Sequence, residues 1–328
     1  MFNPRRTTAL CLLLVNLLLG RAFAEEKPAR GLEIHYIDTE GGAATLIVTP
    51  EGESILADAG NPGDRDAGRI SKAAKDAGLT QIDLVITTHW HLDHVGGLTK
   101  LSELIPLKRF YDHGIPEPLT KDIRPEDIAA YRKVTAGKTT ALKAGDEIAL
   151  KSLAEGPPLR LRIVAANGLV QGEDPSAIEH ACEKGHAAKP IDGSDNAKSI
   201  AFLLSFGDFK FFDGGDLTWN IEHKLVCPRS LVGTADVFQA NHHGLDESNN
   251  PALIEGLAPR VAIVNCGARK GGEAGTLTNL KKQPGLEAVF QLHRSVRVKP
   301  ELNAPPEQTA NDEEACKDRK STRLNSSH

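Results

Sequence analysis

The stretch IDLVITTHWHLDHVGG, residues 82–97, constrains this chain more than any other. Residues 82–88 form a near-continuous apolar run, the pattern of a strand buried on both faces. Such a strand needs cover above and below, so it belongs inside a layered α/β or α+β domain. The run ends in His89, His91, Asp93 and His94. His89 and His91 are two apart and can project to one side of an extended chain. Asp93 and His94 fall in the turn that opens the next helix. Imidazole nitrogen and carboxylate oxygen are zinc-type donors, and this crowding exceeds what packing requires. The segment is expected to present a metal site at the tip of a rigid strand.

The flanking sequence supplies the layers. Strands are expected at 32–39, 44–50 and 53–60, broken by Gly-Gly and Glu-Gly turns. Residues 66–78 have helical spacing and a Gly stop; a short helix at 97–105 and a strand at 107–112 follow. Pro125 and the acidic residues after it suit the first turn of a helix over 125–137. Further strands are expected at 146–150 and 159–167, and residues 168–195, rich in Gly, Pro and charge, read as a surface excursion. Gly207-Asp208 between 199–206 and 209–214 is a hairpin signal. Helix 217–226, strand 235–240, helix 251–257 and strand 260–265 continue the alternation.

The ends are set apart from this domain. Arg5 and Arg6, an apolar run and Ala22-Phe23-Ala24 follow the order of a secretory signal peptide, so residues 1–24 are expected to be cleaved. The run from Ala9 to Leu19 is short of the roughly 20 residues of a spanning helix. The expected location is therefore periplasmic or secreted, with no stable membrane anchor after cleavage. Residues 318–328, DRKSTRLNSSH, resemble a translated sequencing adapter and carry no functional argument; the native C-terminus is expected to be truncated. The domain is then 25–317, enough for one large unit. The formal net charge is −5 for the whole chain and becomes −10 for 25–317. That acidity disfavours nucleic acid as a partner. Cys182, Cys227, Cys266 and Cys316 contain no CxxC pair, which argues against a zinc knuckle. Export permits disulfides. Three full pairings exist, and Cys182–Cys227 is preferred because both lie in loop-like segments flanking one pair of strands.

HxHxDH after an apolar strand resembles the metallo-β-lactamase superfamily, and the resemblance extends over about 30–295. It implies an αββα sandwich. Asp58 in LADAG matches a scaffold aspartate near the metals, Asp216 in FFDGGD the bridging carboxylate, and one of His242 and His243 in ANHHG the late histidine ligand. By that analogy His89, His91 and Asp216 hold one ion, and Asp93, His94, Asp216 and His243 the other. Two ions about 3.5–4 Å apart share a water and lower its pKa. Zn²⁺ is the expected metal, with Mn²⁺ as the alternative. Many members carry a further histidine before the bridging aspartate; here that region offers Asn196 and Ser199. This pattern resembles the hydrolase domain of ComEC-type proteins, their secreted relatives and cell-wall phosphorylcholine esterases. The first site is then the poorer one, unless His180 or His186 substitutes.

Other residues have two readings each. Asp112 ends strand 107–112 and His113 follows it; the two are either support or substrate contacts at the sheet edge, or turn chemistry before Gly114. Arg269 and Lys270 in GARKGG bind an anionic group or form a solvated turn. This loop departs from the ComEC pattern, which places a histidine there. His293 lies at a core edge or in the pocket. Trp90 and Trp219 are expected to pack rather than to line the mouth.

The function expected is an exported metallo-hydrolase using a metal-bound hydroxide on a phosphoester or phosphodiester. The substrate is expected to be a small molecule or cell-envelope component. Asp93 and Asp216 serve the reaction as well as the metal. His242, unable to point the same way as His243, donates to the oxyanion or leaving group. An acyl or lactam hydrolase, and a non-catalytic metal-holding protein, are the alternatives. Oligomeric state is not legible.

Overall fold

The computed structural model describes residues 31–151, 156–172 and 187–311. The signal-like segment, the adapter-like tail, Cys182, Cys316, His180 and His186 lie outside the described residues. Among the described residues no helix is long and apolar enough to cross a membrane.

One sheet contains β1 (Glu33–Tyr36), β2 (Thr45–Val48), β3 (Ser54–Ala57), β4 (Ile82–Ile86), β5 (Leu107–Asp112) and β6 (Thr140–Ala141), in that spatial order. The second contains β7 (Glu147–Ile148), β8 (Leu159–Ala166), β9 (Leu169–Val170), β10 (Ala201–Phe206), β11 (Phe209–Asp213), β12 (Val237–Gln239), β13 (Val261–Val264), β14 (Ala288–His293) and β15 (Thr309–Asn311). Its order is β15-β14-β13-β12-β11-β10-β8-β7, with β9 paired to β8. The helices are α1 (Asp64–Asp76), α2 (Leu92–Val95), α3 (Leu98–Leu104), α4 (Pro125–Thr135), α5 (Trp219–Lys224), α6 (Pro251–Leu257) and α7 (Ala274–Lys282).

Three apolar layers show how these pieces stack. Ala67 and Ile70 of α1, Leu98 and Leu101 of α3 and Tyr131 of α4 pack on Leu46, Leu56 and Val85 of the first sheet. The alternate residues of the same strands, Ile47, Ile55, Leu84 and Ile86, face Phe202, Leu204 and Phe211 of the second sheet. The other side of that sheet, Leu203, Phe212 and Phe238, is covered by Leu253 and Leu257 of α6 and Leu277 and Leu280 of α7. The order is helix, sheet, sheet, helix: the αββα sandwich. Strands buried on both faces lose their polar alternation, which is why 84–86 and 201–204 read as continuous apolar runs.

Most expected elements are present within a few residues, including β4 parallel to β5 and the β10–β11 hairpin across Gly207-Asp208. β4 ends earlier than the apolar run, because Thr88 N–H donates to Asp58 Oδ1 at 2.8 Å instead of to a neighbouring strand. The Thr88 carbonyl accepts from Ile200 N at 2.9 Å, which ties this tip to the second sheet. The described part of the excursion expected at 168–195 holds β9, and a 3₁₀ turn over Asp195–Lys198 begins where it ends. Sequence reading did not single out α7 or β15.

Candidate metal centre

Three chain segments meet where the two sheets present their strand ends. The first is the β4–α2 connection with His89, His91, Asp93 and His94. The second follows β11 and carries Asp216. The third follows β12 and carries His242 and His243. Donor atoms of Asp93, His94, Asp216 and His243 lie within 4.8 Å of one another, and so do those of His89, His91 and Asp216. Asp216 belongs to both groups. Its Oδ2 is 3.8 Å from His89 Nε2, 3.2 Å from His94 Nε2, 3.4 Å from His243 Nε2 and 3.5 Å from His242 Nε2. Asp93 Oδ2 lies 3.5 Å from His94 Nε2 and 3.2 Å from His243 Nε2.

The surroundings fix which nitrogen each ring offers. Asp58 Oδ2 accepts from Thr88 Oγ1 and from His94 Nδ1, both at 2.7 Å. A carboxylate only accepts, so His94 Nδ1 carries the proton and Nε2 faces the cluster. Because the Thr88 hydroxyl donates to Asp58, it accepts from His89 Nδ1 at 3.1 Å. His89 Nε2 is then left bare, buried and without a hydrogen-bond partner. His91 Nε2 is 2.8 Å from Asp122 Oδ2, which leaves Nδ1 as its free donor. A buried orphan nitrogen is costly unless something outside the protein satisfies it, and ring nitrogens oriented by carboxylate or hydroxyl partners are the usual support of metal ligands. The residues present therefore fit a divalent ion.

Electrostatics agree with that fit. Burial presses the His89 pKa well below its ordinary value, so the ring is neutral and its lone pair available. Burial opposes ionisation of Asp216, but His243, His94 and His242 outweigh it and hold the carboxyl well below the usual range. Burial likewise opposes the charged His94 ring, and Asp216, Asp58 and Asp93 together raise its pKa well above the ordinary value. The carboxylates that hold a proton on His94 are placed to hold a divalent cation in its stead.

His242 and His243 both adopt the left-handed region, with φ of 53° and 55°, a strained conformation for non-glycine residues. The chain is held there by Glu222 of α5. This buried carboxylate accepts from Asn241 Nδ2 at 2.6 Å, Asn249 N at 2.8 Å and Asn250 N at 2.7 Å. Both rings bring Nε2 to Asp216 Oδ2, at 3.5 and 3.4 Å, but their other surroundings differ. His243 is fully buried against Asp93 and Asp216, whereas His242 lines an open cleft of about 620 Å³. Asn196, Trp219, Glu247, Glu273 and Arg297 also line this cleft.

The remaining sequence candidates separate. Ser199 Oγ accepts from Asp216 N at 3.2 Å and so supports that carboxylate. Asn196 Nδ2 is 3.3 Å from His242 Nε2, and its buried carbonyl oxygen has no partner. Lys270 Nζ is 2.5 Å from Asp93 Oδ2, while Arg269 beside it is exposed. His113 is not brought to the cluster: it is buried between Asn167 and Asp195, each at 3.1 Å. Asp112 accepts from Tyr131 Oη and Gly114 N, so the turn reading holds for it. His293 is at a core edge, 2.7 Å from Asp38. Trp90 is buried as expected, but Trp219 lines the cleft, where Lys189 Nζ lies 3.8 Å from its ring centre. Cys227 is in a disulfide; Cys266 is free and buried.

Sequence reading missed Asp122, Thr88, Asp195 and Glu222. Asp195 Oδ2 accepts from Trp90 N at 2.8 Å, and Asp195 N donates to Asp122 at 2.7 Å. These contacts link the loop around His91 to residues over 70 positions away. Only Thr88, next to His89, carried a local signal.

Residues 37–148 match the family described as the metallo-beta-lactamase superfamily. Over 190 residues the chain is 23% identical to ComE operon protein 3 of Bacillus subtilis (strain 168), covering 58% of this chain and 20% of that protein. Over 103 residues it is 39% identical to the Integrator complex subunit 11 homolog of Dictyostelium discoideum, covering 30% of this chain and 13% of the relative. The chain thus spans a fifth or less of the length of these two relatives. Among solved structures, the metallo-beta-lactamase fold protein YhfI from Bacillus subtilis is similar at 14% identity and a TM-score of 0.46, covering 79% of this chain and 95% of that one. Residues 37–148 are thus similar to the metallo-beta-lactamase superfamily, and the described residues place a His/Asp cluster suited to divalent metal at the strand ends of an αββα sandwich.

Proposed function

We propose that this chain is an exported dinuclear metallo-hydrolase acting on a phosphoester or phosphodiester of small-molecule or cell-envelope origin. The observation that carries the reading is the shared position of Asp216 Oδ2, which faces both donor groups at once. Two divalent ions, Zn²⁺ or Mn²⁺, would be held by His89, His91 and Asp216, and by Asp93, His94, Asp216 and His243. When bound they supply Lewis acidity and an activated water. Asp216 sets the spacing of the two groups and Ser199 fixes its backbone. His242, on the cleft side of Asp216, is placed to meet a substrate oxygen, and burial lowers its pKa so that the neutral ring is favoured. The cleft volume of about 620 Å³ is of the size that takes a small molecule. Asn196, standing where many members carry an imidazole, supports the phosphoester branch. The signal-like N-terminus and the Cys227 disulfide support export.

The test is the full chain reconstituted with Zn²⁺ or Mn²⁺ and offered phosphodiester, phosphomonoester, lactone and β-lactam substrates. Metal-dependent phosphoester turnover, abolished by Asp216→Ala in a folded protein, is expected. Lactone or β-lactam turnover instead would overturn the substrate class. Bound metal with no turnover of any ester would leave a metal-holding binding protein.

A further inference from the structure

Lys270 lies on the loop between β13 and α7, and that loop is fastened to the metal cluster. Gly272 N donates to His243 O and Glu273 N to Gly244 O, each at 2.9 Å. Gly271 has φ of 78°, and a Cβ there would lie 2.1 Å from His243 O, so only glycine permits this approach. On the other side, a Cβ on Gly41 would lie 2.9 Å from Lys270 Cβ. The lysine is thus confined between the β1–β2 turn and the His243 turn, and its Nζ reaches Asp93 Oδ2 at 2.5 Å. That oxygen is also the one facing His94 Nε2 and His243 Nε2, at 3.5 and 3.2 Å.

We propose that Lys270 is a built-in, displaceable competitor for the divalent ion at the Asp93–His94–Asp216–His243 group. The proposal rests on the metal reading of this cluster. A metal–carboxylate oxygen bond is about 2.0–2.2 Å. An ion taking Asp93 Oδ2 while the ammonium stayed in place would put two cations within about 5 Å of each other. The lysine side chain is 41% exposed and has solvent to retreat into. In the metal-free chain the ammonium satisfies Asp93; on metal uptake it leaves. The His89–His91–Asp216 group has no lysine or arginine among its described ion-pair partners. The two groups therefore differ in how metal uptake is opposed: the first lacks an imidazole, and the second must displace a cation.

The experiment isolates the second group in the full chain with His91→Ala, a partly exposed donor of the first. Zn²⁺ affinity is measured by chelator competition with Lys270 present and with Lys270→Met, and again with Lys270→Gln to guard against a packing defect of one variant. Loss of Lys270 is expected to tighten zinc at least tenfold. It should also lower the melting temperature of the metal-free chain, where Asp93 loses its partner, and enlarge the stabilisation that zinc gives. Equal or weaker zinc affinity in both lysine variants overturns the proposal while leaving the metal reading intact. Absence of zinc binding with or without Lys270 refutes the metal reading of the group, and this proposal with it.

Discussion

Asp58→Asn is the substitution that most directly tests how the cluster is prepared for metal. Asp58 is 3% exposed and accepts three hydrogen bonds, from Thr88 N, Thr88 Oγ1 and His94 Nδ1. Asparagine preserves the shape and replaces one accepting oxygen by an amide donor. If its carbonyl keeps Thr88 N–H, its NH₂ faces His94 Nδ1 and the Thr88 hydroxyl. Nδ1 must then accept, so the neutral His94 ring carries its proton on Nε2, the nitrogen meant for the metal. The hydroxyl, now accepting from the amide, turns its own proton toward His89 Nδ1 and reverses that ring as well. Support contacts of this kind are worth about 10–100-fold in metal affinity, or roughly 1.4–2.7 kcal/mol. With two rings affected, the upper end is expected. Loss of hydrogen bonds to a buried charge should cost a further 1.5–3 kcal/mol or so of folding stability. The assay is zinc affinity by chelator competition, with denaturant unfolding of the metal-free chain as control. Wild-type zinc affinity in a folded Asp58→Asn chain would refute the tautomer reasoning.

Three further outcomes are expected. His243→Ala should lower metal content, whereas His242→Ala should retain metal and lose roughly 10²–10⁴-fold in rate; metal loss on His242→Ala instead would exchange the two roles. Burial raises the Glu222 carboxyl to about 7. A raised carboxyl pKa stabilises the fold below the unfolded value and loses that contribution as pH rises through 7. Stability of the wild type should therefore fall more than that of Glu222→Gln over this window, by up to about 3 kcal/mol; parallel pH profiles would contradict it. Because Asp216, Asp58 and Asp93 outweigh burial and raise the His94 pKa, zinc uptake at pH 7 should release protons, measurable with an indicator dye in weak buffer; uptake without proton release would show the ring already neutral.

The sequence by itself determined a layered α/β domain and the crowding of His89, His91, Asp93 and His94 at one strand end, whereas the αββα sandwich and the places of Asp216 and His243 were implied by the family resemblance. The first two are written in local patterns: apolar runs without alternation, Gly-Asp between two of them, and His and Asp crowded at one strand end. A strand buried on both faces cannot hide its composition, and a turn of fixed length delivers its donors wherever the strand is placed. What tertiary structure alone decided is how each donor is held. Asp122 reaches His91 across 31 positions, Glu222 gathers Asn241, Asn249 and Asn250, and Lys270 meets Asp93 across 177. None of these pairs has a spacing that a helix or strand period imposes. The same holds for His113 and His293, whose partners Asp195 and Asp38 draw them away from the cluster. A single charged residue in a loop looks alike whether it faces solvent or a buried partner; only packing the two sheets settles which groups lose water and must find each other.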